Sequence, residues 1–258
     1  MLSDTVYKPT SEGTVQTYMA GKDNDMNMNL GGDNLPEGKE KYEAVQEMFD
    51  RIAPRYDFVN RIMTFRLDVR WRKKTVKALE LPRESIVADL ACGTGDFCVE
   101  LEKAGMLPIG FDFSFGMLSA SPSFSILSQA DVLRLPVREN SIDGVTCGFA
   151  LRNLTELPAF FEEVSRVLKS GGRFGFLDVA EPENRFLNWG HHLYFDRIVP
   201  KVGALFSDKS AYSYLPRSFS YLPPHQEIIS MIEKAGFTRV ERKLFTPGST
   251  QLFTGEKA

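Results

Sequence analysis

The stretch that decides the fold is Val87-Ala88-Asp89-Leu90-Ala91-Cys92-Gly93-Thr94-Gly95-Asp96-Phe97. An apolar run ends there in a carboxylate, passes through two glycines and continues into a helical pattern. This order predicts a β-strand, a tight turn and the first turn of a helix. In open α/β sheets, ligands bind at the carboxyl ends of the strands. The turn that follows Leu90 is therefore a candidate binding loop.

Short apolar runs alternate with helical patterns on both sides of this loop. The alternation predicts a parallel sheet with crossover helices, so the fold class is α/β with helices on both faces of the sheet. Two further strands near the C-terminus are expected to add an antiparallel edge. The predicted strands are Ile86 to Leu90, Leu107 to Phe111, Ser125 to Ser128, Gly144 to Cys147, Arg173 to Val179, Val240 to Phe245 and Gln251 to Thr254.

Four segments have apolar residues at the three- and four-residue spacing of a helix. The first carries Tyr42, Val45, Met48, Phe49 and Ile52 on one face and ends at Pro54. The others are predicted over Asp68 to Leu79, Pro158 to Lys169 and Pro224 to Ala235, with Gly171 and Gly236 as the stops of the last two.

Composition excludes several classes of protein. The 258 residues carry 31 Lys and Arg against 34 Asp and Glu, a net charge of -3 that does not suit a general nucleic-acid binder. Three cysteines without a CxxC pair and three histidines give no typical metal-ligand cluster. No apolar run has the roughly 20 residues that span a bilayer, and no apolar signal segment precedes the first charges. We therefore expect a cytoplasmic protein without a metal.

The chain divides into a tail and one domain. Residues 1–40 are polar and glycine-containing, which predicts a disordered tail. Residues 41–258 then form the α/β domain. Within it, an aromatic-rich helical insertion at about 184–222 precedes the C-terminal helix and strands.

The glycine loop argues against a dinucleotide site. That site needs G-x-G-x-x-G, whereas Ala91 replaces the first glycine here and the third is missing. The loop instead resembles the first motif of class I methyltransferases, which bind S-adenosylmethionine (SAM). The resemblance implies a class I Rossmann-like sheet and a cofactor loop formed by Asp89, Ala91, Gly93, Thr94 and Gly95.

The next two strands also end in acids. Asp112 and Phe113 follow the second strand, where an acid is suited to holding both ribose hydroxyls. Asp131 and Val132 follow the third, where methyltransferases place an acid against the adenine amine. A single aspartate is more often a helix cap or turn residue. Three acids in order at three strand ends predict SAM binding.

The fourth strand leads into the segment Thr146-Cys147-Gly148-Phe149-Ala150-Leu151-Arg152-Asn153. It resembles the F-G-L-R-N stretch of the ubiquinone/menaquinone biosynthesis C-methyltransferase family, with Ala150 in place of Gly. The resemblance extends from about Val45 to the C-terminus. Further matches are Tyr56-Asp57-Phe58-Val59-Asn60 with Thr64 and Trp71, Arg166-Val167-Leu168-Lys169-Ser170-Gly171-Gly172-Arg173 with Leu177-Asp178, and Tyr212-Ser213-Tyr214-Leu215 with Ser218.

The chain departs from the family pattern at several positions. None of them is an acid assigned to SAM, so the departures bear on the identity of the methyl acceptor. They are Val59 for Met, Asp68 for His, Ser170 for Pro, Asp178 for Glu, Ala180 for Ser, and Ser249-Thr250 where Gly with a branched residue is common. A diverged relative could keep the cofactor loop and change its acceptor.

The resemblance implies methylation of a ring carbon of a reduced prenylated quinone, such as demethylmenaquinol. Arg152 is a candidate for stabilising the phenolate or orienting a water, and Asn153 and Tyr56 for holding ring oxygens. Gly148 joins the cofactor residues. For each of these residues a structural role is the alternative to a catalytic one: Arg152 could form a salt bridge, and Tyr56 could simply pack in the core. A SAM-dependent methyltransferase on another small metabolite and a non-catalytic SAM-binding subunit are the alternatives for the whole chain.

A prenylated substrate lies in a membrane, so peripheral membrane contact is implied. A homodimer is possible, and a nucleic-acid partner is not expected. Two features could serve. For the first, the alternative that we favour is a cap packed on the sheet; for the second, the alternative is a solvated helix face. The first is the set of insertion residues Phe186, Leu187, Trp189, Leu193, Tyr194, Phe195, Ile198, Leu205 and Phe206. The second is the basic run Arg61, Arg66, Arg70, Arg72, Lys73, Lys74 and Lys77 around Trp71.

Overall fold

A computed structural model of the chain describes residues 5–9, 15–19, 38–122, 125–182, 184, 189, 193, 194, 197, 214 and 217–258. Most of the predicted insertion at about 184–222 lies outside these residues. Of its aromatic and aliphatic set, Phe186, Leu187, Phe195, Ile198, Leu205 and Phe206 are outside the described part of the chain.

The N-terminal segment contains two short strands, β1 (Thr5–Pro9) and β2 (Val15–Met19). They pair antiparallel, with Thr5 opposite Met19 and Pro9 opposite Val15. The sequence prediction of a disordered tail over residues 1–40 stays a prediction. Both segments are rich in β-branched and aromatic residues, which favour strands, whereas the overall polarity of residues 1–40 dominated the sequence interpretation.

The domain is built on a seven-stranded sheet in the order β5-β4-β3-β6-β7-β9-β8. Strand β9 alone runs opposite to the other six strands of this sheet, which confirms the predicted fold class and its antiparallel last strand. The strands are β3 (Ile86–Leu90), β4 (Leu107–Asp112), β5 (Ile126–Gln129), β6 (Ile142–Gly148), β7 (Leu168–Val179), β8 (Phe237–Phe245) and β9 (Thr250–Lys257).

Seven α-helices lie wholly within the described residues, and each helix predicted from periodicity is found within a few residues of its expected bounds. Helix α2, with only eight residues, was not predicted from the sequence. The helices are α1 (Gly38–Ile52), α2 (Tyr56–Met63), α3 (Leu67–Ala78), α4 (Asp96–Lys103), α5 (Phe115–Ser119), α6 (Leu157–Val167) and α7 (His225–Lys234).

One predicted stop was wrong. Helix α6 ends at Val167, and Leu168 already pairs with Ile142 at the start of β7. Gly171 has a φ of +74° inside β7, at the point where the pairing register with β6 shifts. This glycine therefore serves a strand irregularity and does not end the helix.

The main core lies between the sheet and helices α6 and α7. Phe160, Phe161 and Val164 of α6 are fully buried against Phe174 and Phe176 of β7. A second cluster forms around Val45 and Met48 of α1. It packs α1 across the carboxyl ends of the parallel strands, where the candidate site lies.

Candidate functional site

The loop after β3 turns sharply beneath the site. Ala91, Gly93 and Gly95 have positive φ values of 52°, 56° and 86°. The left-handed conformation is costly for residues with a side chain and easy for glycine. A Cβ added at Gly93 would meet no atom within 4 Å, so its Cα faces open space. The backbone here can therefore approach a ligand closely.

Asp112, at the end of β4, is fixed against this loop. Its Oδ2 accepts a hydrogen bond from the Gly93 amide at 2.8 Å, and its Oδ1 accepts one from the Ser114 amide at 2.8 Å. Burial raises the pKa of Asp112 to about 6, although the two amides favour the ionised form. Each oxygen keeps a lone pair for a ligand hydroxyl, because a carboxylate has about four acceptor sites.

A cavity, here called the strand-end cavity, opens above the carboxyl ends of β3, β4, β5 and β6. This cavity is lined by most of the residues predicted to bind the cofactor and by two of those predicted to be catalytic. The nominated residues present are Tyr56, Ala91, Gly93, Asp112, Phe113, Asp131, Val132, Gly148 and Asn153.

Asp89, Thr94 and Gly95 do not line this cavity. Asp89 is 1% exposed; its carboxylate accepts from the Thr146 hydroxyl at 2.8 Å and lies 3.7 Å from the Cys98 thiol. Burial raises the pKa of Asp89 to about 7. Thr94 donates to Asp57, and Gly95 is the residue before α4. These three residues therefore contact β6, α2 and α4 around the loop and do not face the cavity.

The sequence analysis missed the contribution of α1 to the site. Tyr42, Val45 and Phe49 line the strand-end cavity, and the Tyr42 ring lies edge-on to Phe113 at 5.3 Å. The periodicity identified this apolar face, but nothing local indicated which surface it would cover.

Polar side chains of α1 attach it to the strand-end loops. Lys41 donates to the carbonyls of Arg152 and Leu154 at 3.0 Å. Gln46 donates to the Phe113 carbonyl at 2.7 Å, and Asp50 accepts from the Ser114 hydroxyl at 2.6 Å. Helix α1 thus closes one side of the strand-end cavity.

A second cavity, here called the helical cavity, lies between α2, α3 and the ends of β7 and β9. Its volume is about 260 Å³, which is room enough for a ring-sized acceptor. Tyr56 and Phe149 line both cavities. The two spaces therefore meet at this pair of aromatic residues.

Phe149 is held in an unusual conformation at this boundary. Its φ is +60°, which is uncommon for a residue with a bulky side chain. The Trp71 ring lies 6.1 Å from the Phe149 ring, and Arg72 lies 5.6 Å from it on another side. Such strained residues cluster where a structure must position a group for function.

Arg152 lines the helical cavity and does not line the strand-end cavity. It is 6% exposed, and its Nη1 contacts Asp178 Oδ1 at 2.5 Å while its Nε donates to the Ser218 hydroxyl at 3.1 Å. Among the described residues, no partner is assigned to its Nη2. The salt-bridged arrangement that we weighed for Arg152 is present, and it leaves the guanidinium at the cavity wall.

Asn153 and Tyr56 face the strand-end cavity, and Tyr56 also faces the helical one. The Asn153 Oδ1 accepts a hydrogen bond from Tyr214 at 3.3 Å. Burial raises the pKa of Tyr56, against the opposing effect of its hydrogen bond with Asn60. Tyr56 is therefore a neutral hydroxyl at physiological pH, able to donate to an oxygen.

A cluster of ion pairs forms the floor of the helical cavity. Arg61 and Arg72 both pair with Asp68 of α3 and Asp96 of α4. Thr64 also donates to Asp68 at 2.7 Å. The basic run was interpreted either as a patch that attracts anionic headgroups or as a solvated helix face. Arg61 and Arg72 fit neither interpretation, because both pair with Asp68 and Asp96. Arg66, Arg70, Lys73, Lys74 and Lys77 are exposed.

The strand-end cavity fits the cofactor that the sequence implies. Two acids at strand ends, Asp112 and Asp131, face apolar and aromatic walls, a combination suited to a cationic ligand that carries hydroxyls and a planar base. In the part of the chain described, no group of three or more His, Cys, Asp or Glu is placed to hold a metal ion. Within those same residues, no helix is long and apolar enough to cross a membrane.

Comparisons with known proteins agree with this geometry. Residues 37–257 match the model of the ubiE/COQ5 methyltransferase family. A demethylmenaquinone methyltransferase of Roseiflexus castenholzii is 40% identical over 240 residues, which cover 90% of this chain and 99% of that one. The ubiquinone/menaquinone biosynthesis C-methyltransferase UbiE of Geotalea uraniireducens is 35% identical, over 84% of this chain and 98% of that one.

Among solved structures, the chain is similar to phosphoethanolamine N-methyltransferase 2 of Haemonchus contortus in complex with SAM. The TM-score is 0.55 at 14% identity, over 73% of this chain and 52% of that one. At this identity the likeness concerns the fold, and it agrees with a class I methyltransferase sheet.

Proposed function

Since the chain belongs to the ubiE/COQ5 methyltransferase family, we propose that it methylates a ring carbon of a reduced prenylated quinone, with demethylmenaquinol as the foremost candidate. It is a SAM-dependent methyltransferase. The names of its relatives, demethylmenaquinone methyltransferase and UbiE, support the quinone as acceptor.

The observation that carries the proposal is the meeting of the two cavities at Tyr56 and Phe149. The strand-end cavity has the acids that suit the cofactor, and the helical cavity has aromatic and aliphatic walls with a few polar groups. When bound, SAM supplies the methyl group on a sulfonium, so that a carbon–carbon bond forms as the sulfur–carbon bond breaks and the ring carbon then loses its proton. Alignment of the two reacting atoms can supply roughly 7–11 kcal/mol.

The acids of the strand-end cavity hold the cofactor in this proposal. Asp112 accepts hydrogen bonds from both ribose hydroxyls, because its oxygens are fixed by the Gly93 and Ser114 amides. Asp131 lies at the next strand end for the adenine amine. Asp89 links β6 and α4 beside the loop through its contacts with Thr146 and Cys98.

The acceptor ring becomes nucleophilic when its neighbouring hydroxyl loses a proton. A phenol of pKa near 10 is disfavoured as the phenolate by about 4 kcal/mol at pH 7. Arg152 offers a fixed positive charge at the wall of the helical cavity, which stabilises the phenolate or orients a water that takes the proton. Arg152 cannot be the base itself, because the guanidinium keeps its protons at neutral pH. Tyr56 and Asn153 hold ring oxygens at the boundary.

The test is methyl transfer from labelled SAM to chemically reduced benzoquinone and naphthoquinone analogues, followed by mass analysis of the extract. We expect one added methyl group on a ring carbon, with an Asp112→Ala variant as the inactive control. The preferred ring identifies the acceptor. Cofactor binding without transfer to any quinol would contradict the proposal and leave another small metabolite or a non-catalytic SAM-binding subunit.

A further inference from the structure

Helix α2 carries an exposed apolar stripe. Phe58, Ile62 and Phe65 are 56%, 36% and 75% exposed. A spacing of four places Phe58 and Ile62 on one face of α2, and Phe65 lies two residues after the helix ends at Met63. Val59 and Met63 on the other face are buried in the core. We call Phe58, Ile62 and Phe65 the α2 stripe. Contiguous exposed apolar side chains of this kind mark an interaction surface.

The α2 stripe is continuous with the mouth of the helical cavity. Phe65 lines that cavity, and its ring lies 6.2 Å from Tyr194, which also lines it. The Tyr194 hydroxyl donates to the Met63 carbonyl at 2.5 Å. Leu193, which directly precedes Tyr194, is 38% exposed. An apolar path therefore leads from the outside of α2 into the space proposed for the acceptor ring.

Positive charge surrounds the stripe, although the whole chain is slightly negative. Residues 51–79 contain nine Lys and Arg and only two acids, Asp57 and Asp68. Both acids are engaged internally: Asp68 with Arg61 and Arg72, and Asp57 with the Thr94 hydroxyl. Arg66 follows Phe65 directly, and Arg70 lies one turn further on α3; both are exposed.

We propose that the α2 stripe with Arg66 and Arg70 is the surface by which this protein docks on an anionic lipid bilayer. Apolar side chains that insert at the interface beside cations that meet lipid headgroups are the requirements for peripheral binding. The role of docking rests on the proposed function: the quinol ring enters the helical cavity past Phe65 while its prenyl tail stays in the lipid. Docking itself needs no methyl transfer.

Flotation with lipid vesicles tests the proposal on the full-length protein. Vesicles of phosphatidylcholine alone are compared with vesicles that also contain phosphatidylglycerol. The first variant is Phe58→Ser with Ile62→Ser, neither of which lines the strand-end cavity or the helical cavity, and the second is Arg66→Gln with Arg70→Gln. Matched controls are Ile126→Ser, a 69% exposed residue on the edge strand β5, and Arg138→Gln, an exposed cation before β6.

We expect the unmodified protein to float with anionic vesicles and to stay behind with neutral ones. Loss of two cations should weaken the partition by about 30-fold, at about 1 kcal/mol for each charge. Loss of the two apolar side chains should weaken it at least about tenfold. The controls should float like the unmodified protein. Equal flotation of all variants, or no flotation of the unmodified protein, would overturn the proposal.

Two measurements keep the result independent of folding and of the proposed function. Each variant must keep the melting temperature and the cofactor affinity of the unmodified protein. Transfer to a short-chain quinol in solution is measured separately. Vesicle binding without transfer would refute the proposed function alone, whereas transfer without vesicle binding would refute docking alone. A stripe variant that changes only the sedimentation from dimer to monomer would assign the stripe to a second copy and overturn the proposal.

Discussion

The strand-end cavity and the helical cavity are held together by different kinds of contacts. In the first, backbone amides of Gly93 and Ser114 fix the carboxylate of Asp112. In the second, side chains hold one another, as Arg61 and Arg72 do with Asp68. Backbone geometry changes little when neighbouring side chains change, while a side-chain cluster depends on each member. The cofactor end is therefore expected to be fixed by the fold, and the acceptor end to be adjustable by substitution.

Loss of the Asp112 carboxylate should have the largest effect. Asp112→Ala removes the acceptor for two ligand hydroxyls, each worth about 1.5–3 kcal/mol when charged, so cofactor affinity should fall by at least about 100-fold. Calorimetric titration with SAM measures it. Asp143→Ala, which removes a carboxylate paired with Lys169 at the surface of β6, should bind like the unmodified protein. Normal affinity of the Asp112 variant would remove the basis for the cofactor assignment.

The same contrast explains what could be predicted from sequence. Asp112 directly follows an apolar run and Asp131 comes two residues after β5, so contiguous patterns located these acids and the strands along the chain. Helix α1 was found by its periodicity, but its position over the strand ends depends on contacts such as that of Lys41 with Arg152, 111 residues away in sequence. The inward direction of Arg72 likewise depends on Asp96 of another helix. Local patterns carry no information about such distant partners.

A substitution at Arg152 tests the acceptor end. Arg152→Lys keeps the cation beside Asp178, but one ammonium cannot replace the planar group that also reaches Ser218 and the cavity wall. We expect kcat to fall by about 100-fold, the typical effect of removing one donor to a developing negative charge. Cofactor affinity should stay unchanged. Arg166→Lys, at a surface pair with Glu163, is the matched control.

A purely structural role for Arg152 would give a different pattern. The melting temperature, the cofactor affinity and kcat would then fall together in Arg152→Lys. A drop in kcat at constant stability and constant cofactor affinity, followed by single-turnover kinetics, separates the two roles.

The stability of the ion-pair cluster at the floor of the helical cavity should depend on each of its side chains. Asp68→Asn leaves Arg61 and Arg72 with Asp96 as their remaining acid. Because removing one partner of a buried pair costs about 3–5 kcal/mol and one acid remains, we expect a loss of about 2 kcal/mol in the free energy of unfolding. Urea denaturation measures it. Asp143→Asn at the surface should change stability little. An equally small change for Asp68→Asn would mean that the floor is not held by its charges.

The smallest expected effect concerns Asp89 and pH. Its pKa in the folded chain is raised from 3.8 to about 7 by burial, so between these values the folded state holds a proton that the unfolded state has released. Stability must then fall as pH rises, and from pH 6 to pH 8 this single group accounts for about 1.4 kcal/mol. Asp112, whose pKa is raised to about 6, adds a smaller change of the same sign.

Replacing Asp89 by asparagine should remove most of that slope, because asparagine carries no charge to bury. Urea denaturation at pH 6 and pH 8 compares Asp89→Asn with Asp143→Asn, whose carboxylate has a lowered pKa because of Lys169 and the Ile86 amide. The Asp143 variant should keep the slope of the unmodified protein. Cofactor titration on Asp89→Asn then locates the residue, since a carboxylate beneath the loop leaves SAM affinity near normal. A loss as large as that of Asp112→Ala would instead place Asp89 in contact with the cofactor.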